Sequence, residues 1–277
     1  MPPNASVDIA RSSDNPPLFH RGRSYVEKAL AIADMDMRKL RHDPTELFTR
    51  AIQPVLWLLV FGQVFSKAHV LPTGGLDYIA FLAPGILAQS VLFVAIFNGI
   101  SVIWERDLGI VHKFLVTPTP RSALVLGKAL AGGVRALPQA LIVFALAATM
   151  GVDMSWSMSS ILGIFVLVML GAALFSTFSL VIACIVKTRE RFMGIGQVLT
   201  MPLFFASNAI YPTDIMPNWL RWIAHVNPLS YLVDGLRMLM LANGESAFGL
   251  GLDFAVLGGA LLIVVTIGGR MYPRLIT

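Results

Sequence analysis

The stretch ILGIFVLVMLGAALFSTFSLVIACIV, residues 161–186, contains no charged residue and no proline. An α-helix rises about 1.5 Å per residue and a bilayer core is about 30 Å thick, so about 20 consecutive apolar residues cross it. This stretch is therefore read as a membrane-spanning helix. Similar runs occupy roughly 51–70, 78–103, 129–150, 192–211 and 249–269. The expected fold is all-α and integral to a membrane, with six transmembrane helices. Composition agrees: 56% of the 277 residues are hydrophobic and 13% charged, with a mean hydropathy of +0.73. A soluble domain carries about 25% charged residues. An ordinary soluble enzyme is excluded, and so is a disordered chain, which would be poor in apolar residues.

The basic residues set the expected orientation. Arg11, Arg21, Arg23, Lys28, Arg38, Lys39, Arg41 and Arg50 precede the first span; Arg106, Lys113, Arg121 and Lys128 fill the second gap. Lys187, Arg189 and Arg191 fill the fourth gap, and Arg270 and Arg274 follow the last span. Only Lys67, Arg221 and Arg237 fall on the other side, an asymmetry of 17 to 3. Under the positive-inside rule both ends lie in the cytoplasm. The net charge of +5 is thus an orientation signal rather than a nucleic-acid face. Arg135 alone lies within a span, where it either snorkels or pairs at the cytoplasmic side, or serves a pore or interface.

Three segments carry more than hydropathy. In 24–42 the residues Val26, Leu30, Ala33, Met37 and Leu40 form one apolar helical stripe beside Lys28, Arg38, Lys39 and Arg41, as in a helix lying at the cytoplasmic interface or packed on a partner. The gap 104–121 holds a short amphipathic face, Ile110, Val111, Phe114 and Leu115, before Pro118 and Pro120 stop the helix. In 212–241, Trp219, Trp222, Ile223 and Val226 share a helical face. Asn227-Pro228 reads as an N-cap with proline at the first helical position, and Asp234 and Arg237 are spaced to pair. The helix that Asn227-Pro228 opens is too short to cross alone, so this stretch is read as two short helices dipping into the outer leaflet.

The fourth span also aligns Ala172, Ser176, Ser179 and Ala183, small residues that let helices approach closely. Phe93, Phe97, Phe204, Phe205 and Asn208 either line an amphiphile's route or serve generic packing, since phenylalanine is common in all spans. Gln89, Asn98, Gln139, Gln197 and Asn208 read as isolated amides with poor acid–base chemistry, which disfavours an intramembrane lipid-modifying enzyme. No Asp or Glu falls in the middle of a span, which disfavours a proton-driven carrier. No phosphate loop G-x-x-x-x-G-K-[ST] occurs, because Ser122 and Ala129 flank Gly127-Lys128 where Gly and Ser or Thr belong. No metal site is expected from five scattered histidines and the single Cys184, and no catalytic residue is assigned.

Leu82-Ala83-Pro84-Gly85, Glu105-Arg106 with Gly109, Thr117-Pro118, Leu126-Gly127-Lys128, and Asn227-Pro228-Leu229-Ser230-Tyr231 with Asp234 and Arg237 follow one another in a specific order. In these motifs the chain, from about Tyr25, resembles the permease subunits of type-2 ATP-binding-cassette exporters, in particular the daunorubicin-resistance and nodulation permeases. The resemblance implies a flexible N-terminus over 1–23, an interfacial connecting helix over 24–50 and a six-span domain over 51–277. It further implies an ATPase-coupling segment within 104–121, with Glu105, Arg106, Gly109, Lys113, Thr117 and Pro118 as its residues. In the outer re-entrant segment 212–241, Asn227, Pro228, Tyr231, Asp234 and Arg237 carry the motif. Glu105 and Arg106 are expected to act as a charged pair anchoring the loop to the connecting helix or the ATPase. The implied partners are two copies of a cytoplasmic ATPase, which would bind ATP and magnesium, a second permease and membrane lipid. This chain would bind no cofactor itself. The implied function is export of a drug, lipid or glycolipid across the cytoplasmic membrane; the alternative is a passive channel or secondary carrier for an amphiphile.

Overall fold

Capping chemistry sets several helix boundaries in the computed structural model, which describes Glu27, Asp34 and residues 52–68, 75–111, 120–186 and 188–275. Helix α1 covers Ile52–Lys67 and α2 covers Tyr78–Asp107. The next two are α3, Arg121–Thr149, and α4, Met158–Ile185, whose cap Ser157 accepts from the Ser160 N–H at 3.1 Å. Helix α5, Arg189–Phe205, is capped by Thr188 and carries Glu190 in its first turn. After a single 3₁₀ turn come α6, Asn218–Val226, α7, Pro228–Met240, and α8, Leu250–Met271. Among the described residues there is no strand, only an isolated bridge between Met154 and Leu241.

Four of these helices, α2, α3, α4 and α8, are long and apolar enough to cross a membrane. They correspond to the runs 78–103, 129–150, 161–186 and 249–269. The run 192–211 becomes the 17-residue α5, which begins three residues earlier and stops at Phe205. It stops there because its last carbonyls are captured from outside the helix. Asn227 donates from Nδ2 to the carbonyls of Leu203, at 2.7 Å, and Ala206, at 2.9 Å, and the Ser207 hydroxyl donates to Phe204 O at 2.7 Å. The run 51–70 becomes α1, whose middle, Trp57–Gly62, winds as a π-helix. Its rings continue a ladder: Trp57 stacks on Phe61 at 4.3 Å, Phe61 on Phe65 at 6.2 Å, and Phe65 meets Tyr78 at 5.4 Å.

Helix α2 is central, packing on α1, α3, α4, α5 and α7, whereas α8 turns most of its surface outward. The small residues of α4 pack inside the bundle, as their spacing predicts. Ser179 Oγ accepts from the Gly99 N–H at 3.1 Å and bonds Ile96 O, while Ser176 lies where a side chain on Gly132 would stand. In lipid such contacts matter because hydrocarbon solvates an apolar helix face as well as another helix does, leaving packing and interhelical bonds, worth about 0.6 kcal/mol each, to hold the bundle. At Gly85, beside Pro84 in α2, a Cβ would overlap the Ala209 carbonyl oxygen. Only glycine lets the loop after α5 lie against α2 there.

Candidate functional site

The C-terminal end of α2, the N-terminal ends of α3 and α5 and the C-terminal ends of α4 and α8 share one end of the bundle. Glu105 of α2 meets Lys128 of α3 at 2.6 Å with side chains only 5% and 4% exposed. Asp107 receives Arg106 at 3.0 Å and Arg189 of α5 at 2.9 Å, and the Arg189 guanidinium lies 3.6 Å from the Trp104 ring centre. Glu105 and Arg106 are adjacent on a helix, so their side chains point about 100° apart; Glu105 braces α2 to α3 and Arg106 joins a surface cluster with α5. Gly109 ends α2 with φ +72, its N–H bonding Arg106 O at 2.9 Å, a left-handed terminal position that suits glycine. Lys113, Thr117 and Pro118 lie outside the described residues, as does the segment 24–50 apart from helical Glu27 and Asp34.

At the opposite end, α6 exposes Trp219, Trp222, Ile223 and Val226. Arg221 fastens the preceding turn by donating to the carbonyls of Thr213 and Asp214. Tyr211, just beyond α5, donates to Phe205 O, and burial pushes its hydroxyl pKa up. Asn227 caps α7 by accepting the Leu229 N–H at 3.0 Å, with Pro228 at the first position, as the sequence predicts. Its amide also holds the end of α5, so one side chain satisfies orphan groups at two helix termini. Tyr231 donates to His225 O at 2.7 Å.

The expected Asp234–Arg237 pair is not formed. Asp234 accepts from Ser246 Oγ and from the N–H groups of Ala247 and Phe248, tying down the loop before α8. Arg237 turns to α2 and the loop after α5, donating to Asn208 O at 2.8 Å and lying 4.0 Å from the Phe81 ring centre. The reason is packing: α7 is inserted between α2, α4 and α8, so these two side chains meet different neighbours. Asp253 in the first turn of α8 is fully buried against Gly235, with neither carboxylate oxygen hydrogen-bonded. Its place near the end of an apolar run gave no sign of that burial. Arg135 is held inside the bundle, donating from Nη1 to Asn98 of α2 at 3.0 Å.

Halfway along α2 lies a cavity of about 440 Å³. Phe93 and Phe97, with ring centres 6.1 Å apart, line it, whereas Phe204, Phe205 and Asn208 do not. Phe204 is buried against Trp57, Phe205 is exposed and Asn208 is buried under Arg237. The in-span glutamines are not isolated: Gln89, Gln139 and Gln197 converge on this cavity from α2, α3 and α5, joined by Gln53 of α1. A sequence signal existed, since Gln89, Gln139 and Gln197 lie inside apolar runs and Gln53 at the edge of one, but the direction in which each helix faces was not in it.

Four helices long and apolar enough to cross a membrane, two short helices at one end of the bundle and an ionic cluster at the other are the architecture of a polytopic membrane protein. The ABC-2 type transporter model matches residues 27–241, and the chain belongs to that family. It is similar to a putative transport permease, ycf38, of Cyanophora paradoxa, 27% identical over 247 residues covering 87% of this chain and 85% of the relative. The daunorubicin resistance ABC transporter permease protein DrrB1 of Streptomyces coeruleorubidus is 25% identical over 85% of this chain and 82% of its own length. Nodulation protein J of Bradyrhizobium diazoefficiens is 28% identical over 61% of this chain and 64% of its own. The chain is thus an ABC transporter permease, a membrane subunit whose family works with separate cytoplasmic ATPase subunits.

Proposed function

We propose that this permease is the membrane half of an ATP-driven exporter that moves an amphiphilic or hydrophobic molecule out across the cytoplasmic membrane. The observation that carries the reading is the family match over 27–241. In this reading the end of the bundle bearing Arg106, Lys128 and Arg189 is cytoplasmic, in keeping with the positive-inside rule, and α1 and α5 complete six spans alongside α2. Two ATPase subunits, carrying ATP and magnesium, meet the segment that follows Asp107, and a second permease completes the pair.

The geometry supports a route for the force. Glu105 braces α2 to α3, and Asp107 links α2 to α5 through Arg189. A push on the segment after Gly109 therefore moves α2, α3 and α5 together, and these helices contribute most of the cavity lining. The test is co-reconstitution of the chain with its ATPase into vesicles and measurement of ATP-dependent movement of a fluorescent amphiphile. Outward movement that requires both subunits is expected; unchanged movement without ATP or without the ATPase overturns the reading.

A further inference from the structure

The mid-depth cavity is lined by side chains that hydrogen-bond without charge. Gln53, Gln89, Gln139 and Gln197 come from four different helices, and none of the lining residues is ionisable. An amide offers two donors and an acceptor and stays neutral at every pH of interest. Placing polar groups at the middle of a membrane protein is costly, so such groups collect where they meet partners or line a route. Gln89 is only 3% exposed, yet its Oε1 accepts no hydrogen bond. The Phe93 and Phe97 rings add a flat apolar wall, and of the four glutamines Gln53 and Gln197 are exposed. Arg135, one turn from Gln139 on α3, is not part of the lining; its Nη1 donates to Asn98, while its buried Nε makes no hydrogen bond.

We infer that this cavity is the binding site for the polar part of an uncharged, hydroxyl-bearing amphiphile, such as a neutral glycolipid. Hydroxyls both donate and accept, which matches amides; an ionised head would be stripped of water without a counter-charge. The cavity size is within the range of small-ligand sites, about 300–1,000 Å³, and suits one or two sugar rings on the aromatic wall. The inference deepens the exporter reading by naming its substrate class, and so rests on it for the biological role but not for the binding itself.

The test uses the full-length chain in phosphatidylcholine nanodiscs, without nucleotide or ATPase. Two probes carry the same diazirine acyl chain, one on glucosylceramide and one on phosphatidylglycerol, and labelled peptides are mapped after illumination. Labelling within α2 and α5 by the neutral probe is expected, at least about 10-fold above the anionic one. Gln89→Leu and Gln197→Leu, apolar changes that a membrane helix accommodates, should each weaken it about 2- to 10-fold, the scale of one hydrogen bond. Leu262→Ala, on the outward face of α8, should leave it unchanged. Equal or stronger labelling by the anionic probe, or labelling that ignores both glutamine changes in folded protein, overturns the inference. Neutral-probe labelling with no ATP-driven movement in the two-subunit vesicles would support the site and sink the exporter reading instead. Movement with no labelling at the cavity would sink the site alone.

Discussion

The buried Glu105–Lys128 pair makes the strongest quantitative prediction. At 2.6 Å and 5% and 4% exposure, both groups have left water. Removing one partner takes the counter-charge at 2.6 Å from a buried ion, a loss of about 3–5 kcal/mol, whereas an exposed pair contributes about 0–1 kcal/mol. Glu105→Gln and Lys128→Met should therefore each lower the melting temperature on the order of 10 °C, taking about 2–4 °C per kcal/mol for a chain of this size. The double variant should recover most of that loss, because replacing both members removes both buried charges together. The assay is thermal unfolding of the purified protein in nanodiscs, followed by size-exclusion fluorescence, across the four-member mutant cycle. Single variants within about 2 °C of the parent, or losses that simply add in the double variant, would refute the claim that the pair is a buried brace.

The surface cluster should behave differently: Asp107→Asn should cost no more than about 1 kcal/mol, and the difference should shrink in high salt. Asn227→Ala should destabilise by about 3 kcal/mol, since it removes a helix cap and leaves the carbonyls of Leu203 and Ala206 without their donor. Asn227→Asp, which keeps the acceptor but loses the donor, should recover only part, as read by the same melting assay. Gly85→Ala should lower folded yield sharply because its methyl would overlap the Ala209 carbonyl, while Gly258→Ala, with open space around it, should be neutral or slightly stabilising. Asp253→Asn should be neutral or stabilising, because the buried carboxylate makes no hydrogen bond; a loss above about 1 kcal/mol would show that the carboxylate has a partner that matters.

Much of this protein was legible locally. Hydropathy alone marks α2, α3, α4 and α8, since about 20 apolar residues in a row have few other uses. Asn227-Pro228 announces α7, because a cap acts through neighbouring backbone groups. The stripe from Ala172 to Ala183 foretold close packing of α4. The end of α5 was not legible, because the donor that stops it, Asn227, lies more than twenty residues further on.

Hydropathy and charge alone establish that the chain lives in a membrane, which segments are apolar enough to cross it and where the charge concentrates. It is the packing of the folded bundle that sets Glu105 against Lys128, parts Asp234 from Arg237 and brings four glutamines to one cavity. In water a helix declares its buried face through the alternation of apolar and polar residues. In a bilayer lipid-facing and protein-facing surfaces are both apolar, so the rotation of each helix about its axis leaves little trace in hydropathy and is set by packing with its neighbours.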